Sequence, residues 1–174
     1  MVSKLSPAEV VESGPVCLEA VYGRAHCWTA DGGYSTPADW LLALAESLAP
    51  ELHSMDDLPV AARFAFSDDV TVGEAAGEAL AGAHAPDILA DFAGRMKCLD
   101  RAGPDEIQAL FKDLRATFRD RGEIRGRDVM FVVRSALTGS VEGPCLEVVV
   151  CLLGRRRTID RIQARLKLIA GDSK

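Results

Sequence analysis

Residues 125–154 read RGRDVMFVVRSALTGSVEGPCLEVVVCLLG: two apolar segments, each closed by a glycine, flank a polar corner, TGSVEGP, at residues 138–144. In the first segment Val129, Met130, Val133, Ala136 and Leu137 recur at the three- and four-residue steps of one helical face, and Gly139 stands where a left-handed residue ends a helix. Arg134 is left on the other face. In the second segment Pro144 suits the first position of a helix, and residues 146–153 are apolar almost all round before Gly154, the pattern of a buried helix. The corner is thus expected between two packed helices, its backbone and the Arg134 guanidinium held rigidly, as recognition requires.

Upstream, the chain is punctuated as a string of helices. Thr36-Pro37-Ala38-Asp39 offers a cap, a first-position proline and a first-turn acid ahead of Trp40, Leu41, Leu44 and Leu48. Ser54 with Asp57, and Thr71 with Glu74, have the spacing of capping boxes. Pro86 opens a helix carrying Ile88, Leu89, Phe92 and Met96; Pro104 opens a longer one carrying Ile107, Leu110, Phe111, Leu114 and Phe118 as far as Gly122. A last helix after Gly154 turns Ile159, Ile162, Leu166 and Ile169 inward. At the amino end Ser6-Pro7-Ala8-Glu9 starts a helix that Gly14-Pro15 is expected to break, and Asp31-Gly32-Gly33 reads as a turn. No alternating pattern competes, so the expected fold is all-α, in two packed lobes: residues 35–99 and residues 100–174, preceded by a segment of unassigned role at residues 1–34.

The 174 residues are enough to bury a core without disulfide or metal staples. The net charge of −6 argues against gross attraction to nucleic acid, DNA included, while leaving room for a local basic face. With neither a signal-like amino terminus nor a bilayer-length apolar run, the expected compartment is the cytoplasm, with no membrane partner. The five cysteines form no C-x-x-C pair and are expected as reduced thiols. Within CLEAVYGRAHCW, residues 17–28, Cys17, His26 and Cys27 could be drawn as metal ligands or as a nucleophile with its base. They lack a second ligand pair and an orienting acid, so a short buried segment is the favoured reading, with neither metal nor cofactor expected.

The run RGRDVMFVVRSALTGSVEGPCLEVVVCLLGRRRTIDRI, residues 125–162, resembles the C-terminal anticodon-binding domain of bacterial glutamyl-tRNA synthetase. That pattern is basic-Gly-basic, an apolar helix, Arg-x-Ala-Leu-Thr-Gly, a corner ending in Pro, an apolar run with Leu-Leu-Gly, and a charged helix. A looser likeness runs through MDDLPVAARFAFSDD at residues 55–69 and back to about Ser35. The resemblance implies a pocket for the last two anticodon bases lined by Arg134, Gly143, Pro144 and Leu146. Gly143 departs from a position that often carries a hydroxyl. Glu51 stands where discriminating members place an arginine, and a carboxylate can only accept hydrogen bonds.

The residues themselves add two arginine groups, Arg121, Arg125 and Arg127 on one side of the corner and Arg155, Arg156, Arg157, Arg161 and Arg165 on the other. If they face one way they form a rim for RNA phosphates, with arginine also a flat surface for stacking bases. A solvated charged helix is the plainer alternative. The Rossmann core of such synthetases, with its His-Ile-Gly-His and Lys-Met-Ser-Lys-Ser type signatures, is absent, so catalysis by this polypeptide alone is not expected. Three readings remain. The chain is a free-standing anticodon-binding module for tRNA, of glutamate type by the resemblance; a protein-interaction module on the same scaffold; or the non-catalytic half of a split synthetase.

Overall fold

The computed structural model describes residues 6–23, 28–122 and 124–171. Among them there is no strand, and the all-α expectation holds. The helices are α1 (Pro7–Tyr22), α2 (Pro37–Leu48), α3 (Leu58–Phe66), α4 (Glu74–Leu80), α5 (Ala85–Lys97), α6 (Pro104–Asp120), α7 (Gly126–Thr138) and α8 (Leu146–Gly171), with short 3-10 turns before α3.

Two apolar clusters form. The first takes Val10 and Leu18 of α1, Trp40, Leu41, Leu44 and Leu48 of α2, and Leu58, Ala62, Ala65 and Phe66 of α3. The second joins α5, α6, α7 and α8, with Phe92, Phe111, Phe118, Val133 and Ile162 fully buried. Leu152 of α8 reaches back into the first cluster, so α8 is the shared wall.

Local chemistry explains most boundaries. Thr36 caps α2 by accepting from the Asp39 amide at 3.1 Å. Ser54 and Asp57 make the expected capping box, on the 3-10 turn Met55–Asp57 leading into α3. Gly139, at φ +76, closes α7. Three expectations are corrected. Gly14-Pro15 does not break α1: Gly14 is buried where an added Cβ would lie 3.0 Å from the Ala45 Cβ, so its lack of a side chain permits close α1–α2 packing. Thr71 does not cap α4, whose N-cap is Gly73, with its amide on Gly139 O at 2.9 Å. Pro144 lies before α8, which starts at Leu146 with the Val149 amide bonded to Cys145 O.

Gly154 divides α8 into two helical stretches, as the sequence leads one to expect: at φ +71 and ψ 168 it leaves helical geometry and ends the first, and the second begins directly after it. This backbone region is open essentially to glycine alone. The break leaves backbone groups that residues 28–40 satisfy. Trp40 Nε1 donates to Leu152 O at 2.7 Å, and the Arg156 amide donates to Asp31 Oδ2 at 2.9 Å, a helix cap supplied by a distant part of the chain. Thr29 Oγ1 donates to Asp31 Oδ1, and the Asp31 carbonyl accepts from the Ala102 amide at 2.8 Å.

Candidate functional site

The corner at residues 138–144 is shaped by its own side chains. Thr138 Oγ1 donates to Arg134 O at 3.0 Å and accepts from the Ser140 amide at 3.3 Å, and Ser140 Oγ accepts from the Glu142 amide at 3.1 Å. Gly143 takes φ +130, which a side chain would resist. Arg134 Nη1 donates to Pro144 O at 2.5 Å and lies 3.6 Å from where a Gly143 Cβ would be. The guanidinium therefore braces the corner from behind. Leu146, 2% exposed, anchors its far end in the core.

In front of the corner lies a cleft of about 300 Å³. Thr138, Ser140, Glu142, Gly143 and Pro144 form one wall; Glu51, the α3 face at Val60, Ala61, Arg63 and Phe64, and the loop at Asp69, Val70 and Thr71 form the other. Of the four residues singled out in the sequence, Gly143 and Pro144 line the cleft, whereas Arg134 and Leu146 support it. The α3 face and the loop were not foreseen as a facing wall. They meet the corner because the Gly73 amide bonds Gly139 O and the Thr71 carbonyl packs on Gly139 where a Cβ would clash.

The cleft is acidic at its rim. Glu51 lies near enough to Arg134 and Glu142 to feel both: partial burial pushes its carboxyl pKa up, the Arg134 charge opposes this, and Glu142 reinforces it. For Arg134 burial lowers the pKa, against the attraction of Cys145, Glu51 and Glu147.

The arginines separate by role. Arg161, expected on the rim, is 6% exposed and holds elements together: it donates to Leu137 O at 2.9 Å, to Phe64 O and Ser67 O at 2.7 Å, and to Asp68 at 3.2 Å. Arg157 donates to Ala65 O at 2.9 Å and Asp68 at 2.9 Å, and Arg165 to Val70 O at 3.3 Å. This set fixes the end of α3 and the following loop, hence the far wall of the cleft. Partial burial tends to raise the Asp68 pKa, but the bonds and charges of Arg157 and Arg161 hold it below the ordinary value. Arg156 is exposed and approaches Asp160 at 3.9 Å; Arg155 is half-buried. Arg121, Arg125 and Arg127 are exposed near the start of α7, about 18 Å from the corner at 1.5 Å per helical residue.

Cys17 is half-buried against the first cluster, while His26 and Cys27 lie outside the described residues. No group of three potential metal ligands occurs among the described residues, and no helix there is long and apolar enough to cross a membrane.

Residues 20–166 match the sequence pattern of the anticodon binding domain family. The chain belongs to this family. Similar curated proteins include the glutamate-tRNA ligase of Lysinibacillus sphaericus, 31% identical over 98 residues, which are 56% of this chain and 19% of that protein. The glutamate-tRNA ligase of Natranaerobius thermophilus is 25% identical over 131 residues, 75% of this chain and 26% of that one. This anticodon-binding domain thus spans about a fifth to a quarter of the relatives it matches. A crystal structure of a glutamate tRNA ligase from Elizabethkingia meningosepticum, in complex with its amino acid, shares the fold at a TM-score of 0.72 and 16% identity, covering 95% of this chain and 30% of that one.

Proposed function

We propose that this anticodon-binding domain binds tRNA, of the glutamate type, by receiving the last two anticodon bases in the cleft before the corner, and that it does not aminoacylate by itself. The supporting observation is the bracing of the corner: the Arg134–Pro144 bond at 2.5 Å holds the corner's backbone groups, with Pro144 largely buried at their base, in fixed array across the cleft from Arg63 and Phe64. Unpaired bases are recognised by such flat surfaces and fixed polar groups. In this reading Gly143 and Pro144 contact the bases, while Arg134 and Leu146 position them. Arg121, Arg125, Arg127, Arg155 and Arg156 are the candidate phosphate contacts, with Arg157 already engaged by Asp68 and Ala65.

Binding of glutamate tRNA transcripts, with the last two anticodon bases swapped and with Arg134→Ala, tests it. Each swap is expected to weaken binding roughly tenfold or more, the effect of losing about 1–3 kcal/mol of base readout. Arg134→Ala is expected to erase the discrimination. Binding indifferent to all three changes refutes the proposal.

One observation favours a second reading. Glu51, Asp69 and Glu142 make the rim acidic, which repels phosphate and suits a basic protein segment, such as one on a synthetase catalytic subunit. Absence of tRNA binding together with capture of such a subunit would support this interaction module, or the split-enzyme form of it, over the first reading.

A further inference from the structure

The net charge of −6 is unevenly distributed. Along α6, Lys112, Arg115 and Arg119 occupy one face at steps of three and four residues, spanning about 10 Å at the helical rise. Beside them the start of α7 contributes Arg127, and the four cations line a groove of about 410 Å³ between the two helices. Arg115 lies across Gly126, where an added Cβ would be 3.6 Å from its side chain, and its Nε donates to Phe111 O at 3.2 Å. The Arg127 guanidinium stacks on the Phe131 ring at 4.8 Å, and next to the groove Arg121 stacks on Phe118 at 5.3 Å.

Among the described residues, these cations other than Arg119 meet no carboxylate. Arg95, Arg101, Arg157 and Arg161 each meet a carboxylate, but none of Lys112, Arg115, Arg121 and Arg127 does so among the described residues. Arg119 approaches Asp120 at 3.4 Å with both side chains more than two-thirds exposed, an arrangement that contributes little. Asp105 stands only in the adjoining hollow beyond Lys112. A cluster of one sign repels itself and concentrates anions. Guanidinium groups already supported by a ring or a backbone lose little freedom on binding, and those on Phe131 and Phe118 can meet phosphate in the planar, forked geometry it favours.

We propose that the α6–α7 groove is a second RNA site, which takes the phosphodiester backbone without reading sequence. Its 10 Å of helix matches roughly three nucleotides at 3.4 Å each. It rests on the tRNA reading for the class of ligand but not on the corner, since it lies at the opposite end of α7. The RNA therefore spans the domain, held by charge at α6 and read at the cleft.

The test uses the full chain with glutamate tRNA transcript and an unrelated RNA hairpin, titrated over a salt series. Its variant is Lys112→Gln/Arg115→Gln/Arg119→Gln, three substitutions on a solvent-facing helix side whose folding is checked by circular dichroism. Losing three phosphate contacts is expected to reduce the slope of log affinity against log salt by about 2–3, with binding weakened on the order of tenfold or more at low salt. The loss should be equal for both RNAs, and the ratio between anticodon variants should be unchanged. An unchanged slope overturns the proposal, whether or not the corner discriminates bases. Loss of binding to polyglutamate or phosphatidylserine vesicles with RNA binding intact also overturns it, by assigning the groove to an acidic protein or a membrane. RNA binding that depends on the triple substitution but ignores anticodon swaps supports the groove while refuting the corner.

Discussion

Gly154→Ala tests the account of how the two clusters are joined. Alanine at φ +71 and ψ 168 enters a region essentially closed to residues with a side chain, at a cost of about 1–3 kcal/mol. Its Cβ would also meet Thr29 Oγ1 and, at 2.5 Å, Asp31 Oδ1, and must expel the turn that caps the second half of α8. Losing that cap adds about 0.5–2 kcal/mol. The sum is about 2–5 kcal/mol, which for a domain of this size lowers the melting temperature by roughly 4–20 °C. Urea unfolding of Gly154→Ala, Asp31→Ala and the double variant reads the effect directly. Asp31→Ala alone should cost about 0.5–2 kcal/mol. In the double variant the costs should fall short of additive, because both changes remove the same cap. A Gly154→Ala protein within about 0.5 kcal/mol of the parent, the range of an ordinary surface substitution, would refute the reasoning.

Arg161→Met removes a buried guanidinium that donates to three carbonyls and to Asp68, and should cost about 3–5 kcal/mol by denaturant unfolding, with the α3 end and the following loop losing protection in hydrogen exchange. Because Asp68 has a folded-state pKa below the ordinary value of 3.8, its contribution is fully present above about pH 4 and is lost as pH falls through the folded value. Melting temperature should therefore drop on acidification below pH 4, and Asp68→Asn should flatten that part of the profile; an unaltered acid limb would contradict the pairing.

The helix starts at Pro37 and Pro104 and the stop at Gly139 were legible because each depends on a few adjacent residues: a hydroxyl cap for α2, a proline in the first turn, a residue free to turn left-handed. Gly14-Pro15 was misread for the same reason. Local chemistry says break, but the position is decided by Ala45, thirty-one residues on, against which only glycine fits so closely. The corner and its bracing arginine were readable as a motif, whereas the wall facing them was not, since Arg63, Phe64 and Thr71 carry no local mark of lining a cleft. Arg161 carried a misleading mark: arginine one residue before the inward-facing Ile162 reads as surface, and only three carbonyls from distant elements make its burial tolerable. The stripe on α6 was present in the sequence, but its pairing with Arg127 needed the packing of α6 on α7.

The cap on α8 also ties together parts of the chain that are far apart in sequence. The bonds that close the break join residues 125 apart, Asp31 to Arg156, and 112 apart, Trp40 to Leu152. Contacts of such separation carry the largest loop-closure entropy and form after local ones. These two ties fix the relative angle of the halves of α8 and with it the spacing of the cleft walls, so the geometry of the cleft depends on residues more than a hundred positions away from α8, the helix that follows the corner.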